Sequence, residues 1–150
     1  MRIWVDADAC PRAIKAIIFR AAERTQTQTI LVANQYLTQP GSAYVQKVQV
    51  NAGFDQADQY IVQQVMAGDL VITADLPLAD QIVAKAALAL NPRGQLYTAA
   101  NIKAHLAVRN FHTEMRDSGL LSTGPAALDQ KNLQRFANAL DKLLQAKSRS

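Results

Sequence analysis

The sequence predicts an α/β protein, a three-layer α/β/α sandwich around a mostly parallel central sheet. Short apolar runs at residues 3–5, 29–33 and 70–74 alternate with longer segments of helical period. Runs that are apolar throughout suit strands buried on both faces, and strand–helix alternation suits parallel pairing. No repeat, low-complexity tract or linker interrupts the pattern, so the 150 residues are expected to form one domain, 1–150.

The first strand is expected over 2–6, ending at Asp6. A helix then runs from Pro11 to about Arg24, with proline at its first helical position and Ile14, Ile17, Ile18, Ala21 and Ala22 as its apolar stripe. After a polar turn, Thr29 to Ala33 is a buried strand that stops at Asn34. Residues 35–42 read as a loop. Tyr44 to Val50 alternates as a third strand, with Tyr44, Val48 and Val50 on one face. The next helix begins near Asp55, with Asp58 where a capping-box acid sits, and stops at Gly68. Asp69 reads as a turn residue. Leu70 to Ala74 is the fourth strand and ends at Asp75. Pro77 opens a helix to about Leu88 that carries Leu78, Ile82, Val83 and Ala86 inward. Leu88-Ala89-Leu90 is a short strand, Asn91 to Gly94 a turn, and Leu96-Tyr97 follows. Thr98 or Asn101 starts a helix through about Asp117, and residues 118–125 form a loop. The last helix spans about Leu128 to Ala146, and Lys147 to Ser150 should fray.

Composition narrows the function classes. A hydrophobic content of 49% fits a globular core, and no apolar run approaches the ~20 residues that span a bilayer. The N-terminus enters a strand directly, so neither signal peptide nor membrane partner is expected. One cysteine cannot form an internal disulfide and suits a cytoplasmic setting. Two histidines and no paired cysteines argue against structural zinc. Oligomeric state leaves no signature.

The acids are lopsided: ten Asp and two Glu. Aspartate is a short, hard-oxygen ligand suited to Mg2+ or Mn2+. Residues 1–84 hold six Lys/Arg and eight acids, a net of −2, whereas 85–150 hold ten and four, a net of +6. The helices of about 98–146 are thus a basic C-terminal part, fit to attract RNA or single-stranded nucleic acid. Lys103, Arg109, Arg116, Lys131 and Arg135 are candidate phosphate contacts. Aromatic residues are 6% and scattered, so charge rather than base stacking supports this partner.

Parallel strands one and four would bring Asp6 and Asp75 to one sheet edge, where α/β proteins bind ligands. Asp58, one turn into its helix, would face them. Carboxylates crowded together repel unless a cation intervenes. Metal ligation by Asp6, Asp55, Asp58 and Asp75, with Asp8 as a further or supporting ligand, would suit phosphodiester hydrolysis, with Asp6 and Asp75 catalytic. Structural readings stand beside these: Asp8, Asp55 and Asp58 are also suited to helix caps, and Asn34 to a turn or to substrate. Asp80 lies deeper in its helix. Cys10 sits at a helix start without a nearby base and reads as a small, partly buried residue. His105 and His112 share a surface face. Two other functions compete. Asp6 and Asp8 imitate the nucleophile and acid of haloacid-dehalogenase-like phosphatases, and a non-catalytic RNA- or metal-binding module would use the same charges.

Asp6-Ala7-Asp8-Ala9-Cys10-Pro11, Val32-Ala33-Asn34, Gly53 to Asp58 and Gly68 to Asp75 resemble, in order, the YaiI/YqxD family of functionally uncharacterised bacterial proteins. Leu90-Asn91-Pro92-Arg93-Gly94, Tyr97, Asn101-Ile102, Arg109, Arg116 and Gly124-Pro125 extend the likeness over nearly the whole chain. That family is usually placed with the PIN-like nucleases, which cut RNA or DNA with Mg2+ or Mn2+ held by clustered acids. The resemblance implies the metals at the C-terminal strand edge. Asp6 would stand for the acid ending strand one, Asp75 for that of the Thr-x-Asp motif, and Asp55 or Asp58 for the helix acid, often Glu in those nucleases. Asn34, Arg93, Arg109 and Arg116 would contact substrate.

Overall fold

A computed structural model describes residues 1–34, 43–53, 56–108 and 129–149. The strands are β1 (Ile3–Asp6), β2 (Thr29–Ala33), β3 (Val45–Gln49), β4 (Leu70–Ile72), β5 (Leu88–Leu90) and β6 (Leu96–Tyr97). The helices are α1 (Arg12–Thr25), α2 (Gln56–Gln64), α3 (Leu76–Ala84), α4 (102–108) and α5 (Gln130–Arg149). The six strands lie in the order β3-β2-β1-β4-β5-β6, parallel except for the antiparallel β5–β6 pair. β1 is central, pairing Val5 with Leu31 of β2 on one side and Ile72 of β4 on the other.

Strand alternation divides the core into the two outer layers of the sandwich. Ile3, Val5, Leu31, Ala33, Leu70, Ile72 and Leu90 face α1 and α5, meeting Ile14, Ile18, Phe136, Leu140 and Leu144. Trp4, Ile30, Val32, Val71 and Ala89 face α2 and α3, meeting Ile61, Leu78 and Ile82, with Ile102 of α4 in the same cluster. Both faces of β1, β2 and β4 are buried, which is why these strands carry no polar alternation. No helix among the described residues is long and apolar enough to cross a membrane.

Several element bounds differ from expectation. Pro11 is the N-cap of α1 rather than its first helical residue, and its carbonyl accepts from Lys15. α2 ends at Gln64, short of Gly68, because the Met66 amide donates at 3.0 Å to the Asp69 carboxylate instead of continuing the helix. α3 ends at Ala84, and Ala86, expected inward, is exposed with φ +63. Amide donations from Ala86 to the Val83 carbonyl and from Ala87 to that of Ile82 close this end as a Schellman turn. α4 begins with a reciprocal cap: the Thr98 amide donates to Asn101 Oδ1 at 2.8 Å, and the Asn101 amide to Thr98 Oγ1 at 3.3 Å. At the other end of the chain α5 continues through Arg149, so Lys147–Arg149 are helical rather than frayed, no glycine or proline being present to stop them.

Candidate functional site at the β1–β4 crevice

The chain leaves β1 through β2 to β3, then crosses back to β4 and β5. The direction of winding therefore reverses between β1 and β4, which opens a crevice at their C-terminal ends. Asp6 ends β1 and Asp75 follows β4 by three residues.

Alternation places Asp6 on the Trp4 face, toward α2 and α3. Only 8% of Asp6 is exposed. Its pKa is pushed up to about 6, first by burial and then by the negative charges of Asp58, Asp75 and Asp8. The sheet edge thus gathers four of the expected acids into one electrostatic neighbourhood. Asp58 lies in the first turn of α2.

Two of these acids also have local structural work. Asp75 is the N-cap of α3: its Oδ1 accepts from the Leu78 amide at 3.0 Å, while its own amide donates to Thr73 Oγ1 at 3.0 Å. The Thr-x-Asp spacing is what makes that interlocked turn. Asp8, on the short 3₁₀ turn Ala7–Ala9, accepts from the Asn34 amide at 2.7 Å through Oδ2. This bond ties the ends of β1 and β2 together. The side-chain Oδ1 of Asn34 is buried and has no hydrogen-bond partner among the described residues. Among the described residues, no three carboxylate, imidazole or thiol groups are already drawn into a cation cage.

Arg93 lies in the turn between β5 and β6, at the same edge, and its amide donates to Asn91 Oδ1 at 2.8 Å. Asp80 is turned elsewhere, paired with Lys103 at 3.0 Å. Cys10 is buried at 8% exposure, and burial is the main reason its thiol is pushed up to about 12, with Asp6 adding to it. It is a packing residue of the α1 layer. Asp55, Arg109, Arg116 and His112 lie outside the described residues.

Sequence reasoning undervalued Asp69. It is 5% exposed and sits at the opposite edge of the sheet from Asp6. Its carboxylate accepts from the Arg2 and Met66 amides, each at 3.0 Å, and from the Trp4 indole at 3.1 Å, while the Arg2 guanidinium lies 3.2 Å away. Burial pushes this carboxyl up, but the donors and the Arg2 charge outweigh it and hold the pKa below the ordinary carboxylate value. Asp69 is therefore a structural clasp, and its only signal in the sequence was an acid directly before an apolar strand.

The profile of the family described as "Uncharacterized BCR, YaiI/YqxD family" matches residues 4–146. A "UPF0178 protein" of Dechloromonas aromatica is 57% identical over 144 residues, covering 96% of each chain. Its counterpart in Shewanella amazonensis is also 57% identical, over 96% of this chain and 97% of its own. That of Alkalilimnicola ehrlichii is 58% identical over 146 residues, or 97% and 99% of the two chains. No solved structure matches.

Proposed function

For a chain that belongs to the YaiI/YqxD family, we propose a metal-dependent nuclease that hydrolyses phosphodiester bonds in RNA or DNA at the β1–β4 crevice. The observation that carries this reading is Asp6: a nearly buried carboxylate at the winding reversal with three other acids around it, its pKa pushed up to about 6 first by burial and then by their charges. Such an arrangement costs folding free energy, and strongly perturbed groups in clefts cluster at functional sites.

The donor set suits a hard divalent cation. It is all oxygen, from Asp6, Asp8, Asp58 and Asp75, and the unpartnered Oδ1 of Asn34 adds a neutral oxygen beside Asp8. Mg2+ and Mn2+ take such ligands, whereas zinc favours sulfur and nitrogen. When bound, such an ion supplies positive charge to the oxygens of a phosphodiester undergoing displacement. The residues do the rest. Asp6, ionised above pH 6, and Asp75 would hold that ion and orient the attacking water by accepting its hydrogen bonds. Asp75 is held rigidly for this by its Thr73 and Leu78 contacts. Asp58 adds charge from the α2 side. Arg93 stands at the same edge to meet substrate phosphate. The Cys10 thiol, protonated at any physiological pH, takes no part. A setting in the cytoplasm accords with the lone cysteine.

The test is calorimetric titration of Mn2+ into the wild type and Asp75→Asn, with a labelled RNA and DNA cleavage assay alongside. Asparagine keeps the α3 cap, so the variant removes charge without removing the helix start. The expected result is binding in the micromolar-to-millimolar range that the variant loses together with cleavage. Unchanged Mn2+ binding would remove Asp75 from the site. RNA bound tightly but left uncut in Mn2+ would favour a binding protein instead.

A further inference from the structure

The face of α5 turned toward the β5–β6 turn is a basic groove with no part in the carboxylate site. The groove is open, with a volume of about 540 Å³, and is lined by Lys131, Gln134, Arg135, Asn138 and Lys142 of α5 and by Gly94 of the turn. The three cations and two amides are exposed, and among the described residues no acid lines the groove. Neither lysine nor Arg135 has a carboxylate partner among the described residues, whereas Arg24 is paired with Asp141 on the α1 side of the same helix. The positions 131, 135, 138 and 142 recur at helical spacing, so one stripe of α5 carries them all. From Lys131 to Lys142 the stripe is about 16 Å long at the rise of an α-helix.

Its place in the fold links it to the crevice. β5 runs parallel to β1 and β4, so the turn after Leu90 lies at the edge that carries Asp6 and Asp75. Gly94 fastens that turn to α5. It has φ +90, and a Cβ there would lie 2.7 Å from Arg135 Cγ and 2.9 Å from the Arg135 carbonyl carbon. The backbone approach that glycine allows sets the upper end of the groove against the turn that contains Arg93. The groove therefore starts at the acidic edge and runs down the other layer of the sandwich.

We propose that this groove is a track for the sugar-phosphate backbone of the nucleic acid cut at the crevice, an assignment that rests on the nuclease reading above. A line of positive charge of about 16 Å spans consecutive phosphates of one strand, one for each of its three cations. An isolated small anion would need cations converging on one point, not spread along a helix. Among the described residues no aromatic side chain lines the groove, and the contact it offers is to the backbone rather than to bases. The track grips phosphate regardless of sequence and leaves the choice of cleavage position to the crevice.

The test measures binding of labelled oligoadenylate and oligouridylate of about 20 nucleotides to the full chain in EDTA, over a salt series. Wild type is compared with the combined variant Lys131→Gln, Arg135→Gln, Lys142→Gln, and with Arg20→Gln on exposed α1 as a charge control. Circular dichroism and Tm establish that each is folded. The expected result is at least a tenfold weaker Kd for the triple variant near 0.1 M salt, and a log K against log salt slope shallower by about 2, at ~0.7 per lost contact with a single strand. Arg20→Gln should leave both unchanged, and the two homopolymers should bind alike. An unaltered slope and Kd in the folded triple variant would overturn the proposal, as would a tenfold preference between the homopolymers. Equally tight, groove-dependent binding of polyglutamate would overturn it in favour of an acidic protein partner. Because binding is read in EDTA, absence of cleavage would sink the nuclease reading while leaving these outcomes intact.

Discussion

The indole N–H of Trp4 donates a 3.1 Å hydrogen bond to the carboxylate of Asp69, a residue 65 positions further along the chain. The same carboxylate takes the Arg2 amide, and the Arg2 guanidinium lies 4.9 Å from the centre of the Trp4 ring. One side chain thus satisfies the start of β1, the entry to β4 and the turn after α2. Replacement by asparagine would keep one acceptor oxygen and place an NH2 group among donors. Asp69→Asn should cost about 2–4 kcal/mol, the range for a buried charge-assisted network left half made. For a chain of this size that lowers Tm by about 5–15 °C. Since the folded pKa lies below the ordinary 3.8, the stabilisation is present above that value and fades as pH falls through the folded pKa. Thermal melts at neutral and strongly acidic pH should therefore show the deficit only at neutral pH.

Asp6 carries the opposite sign. Its folded pKa of about 6 lies above the ordinary 3.8, so the folded state holds its proton more tightly than the unfolded chain does. Stability should fall as pH rises from about 4 to above 6, by on the order of 3 kcal/mol. Asp6→Asn should escape that fall. The variant should melt close to wild type at pH 4 and several degrees higher at pH 8. Added Mn2+ should raise the wild-type melting point at pH 8 and leave the variant unmoved. A variant less stable than wild type at pH 8 would show that Asp6 is stabilising as an anion.

The Cys10 thiol, buried and pushed up to about 12, should resist a thiol-specific reagent at pH 8. Labelling should follow the rate of unfolding in urea rather than the thiolate fraction. Prompt modification of the native protein, with activity lost in step, would give the thiol a chemical role that its burial argues against.

Much of this was legible in the chain. Apolar runs without alternation placed β1, β2, β4 and β5, because a strand covered on both faces has no polar side to show. The stripe Ile14, Ile18, Ala21 and Ala22 marked the face of α1 that is buried. Helix ends were read less well, and for identifiable reasons. Gln26 and Ala86 adopt left-handed φ of +53 and +63, where glycine is the usual signal. The stop of α2 comes from Asp69, a contact made through the fold rather than along the helix. At the crevice, the acids of Asp6 and Asp75 could be foreseen because each ends an apolar run. The bond from the Asn34 amide to Asp8 could not, since it joins the ends of two strands 26 residues apart in the chain. The groove was visible only as excess charge after residue 84; its shape needs Gly94 against Arg135.

The central position of β1 has a consequence for synthesis. Its two neighbours begin at residues 29 and 70, so Ile3, Trp4 and Val5 are synthesised before either and gain their second neighbour only after residue 70. A nascent chain shorter than about residue 75 can close β1 on β2 but leaves the opposite flank bare. Nor does it bring Asp75 near Asp6. The acidic rim therefore comes into being only once the second half-sheet has docked, and a truncated product would carry the scaffold of one flank without its charge trap.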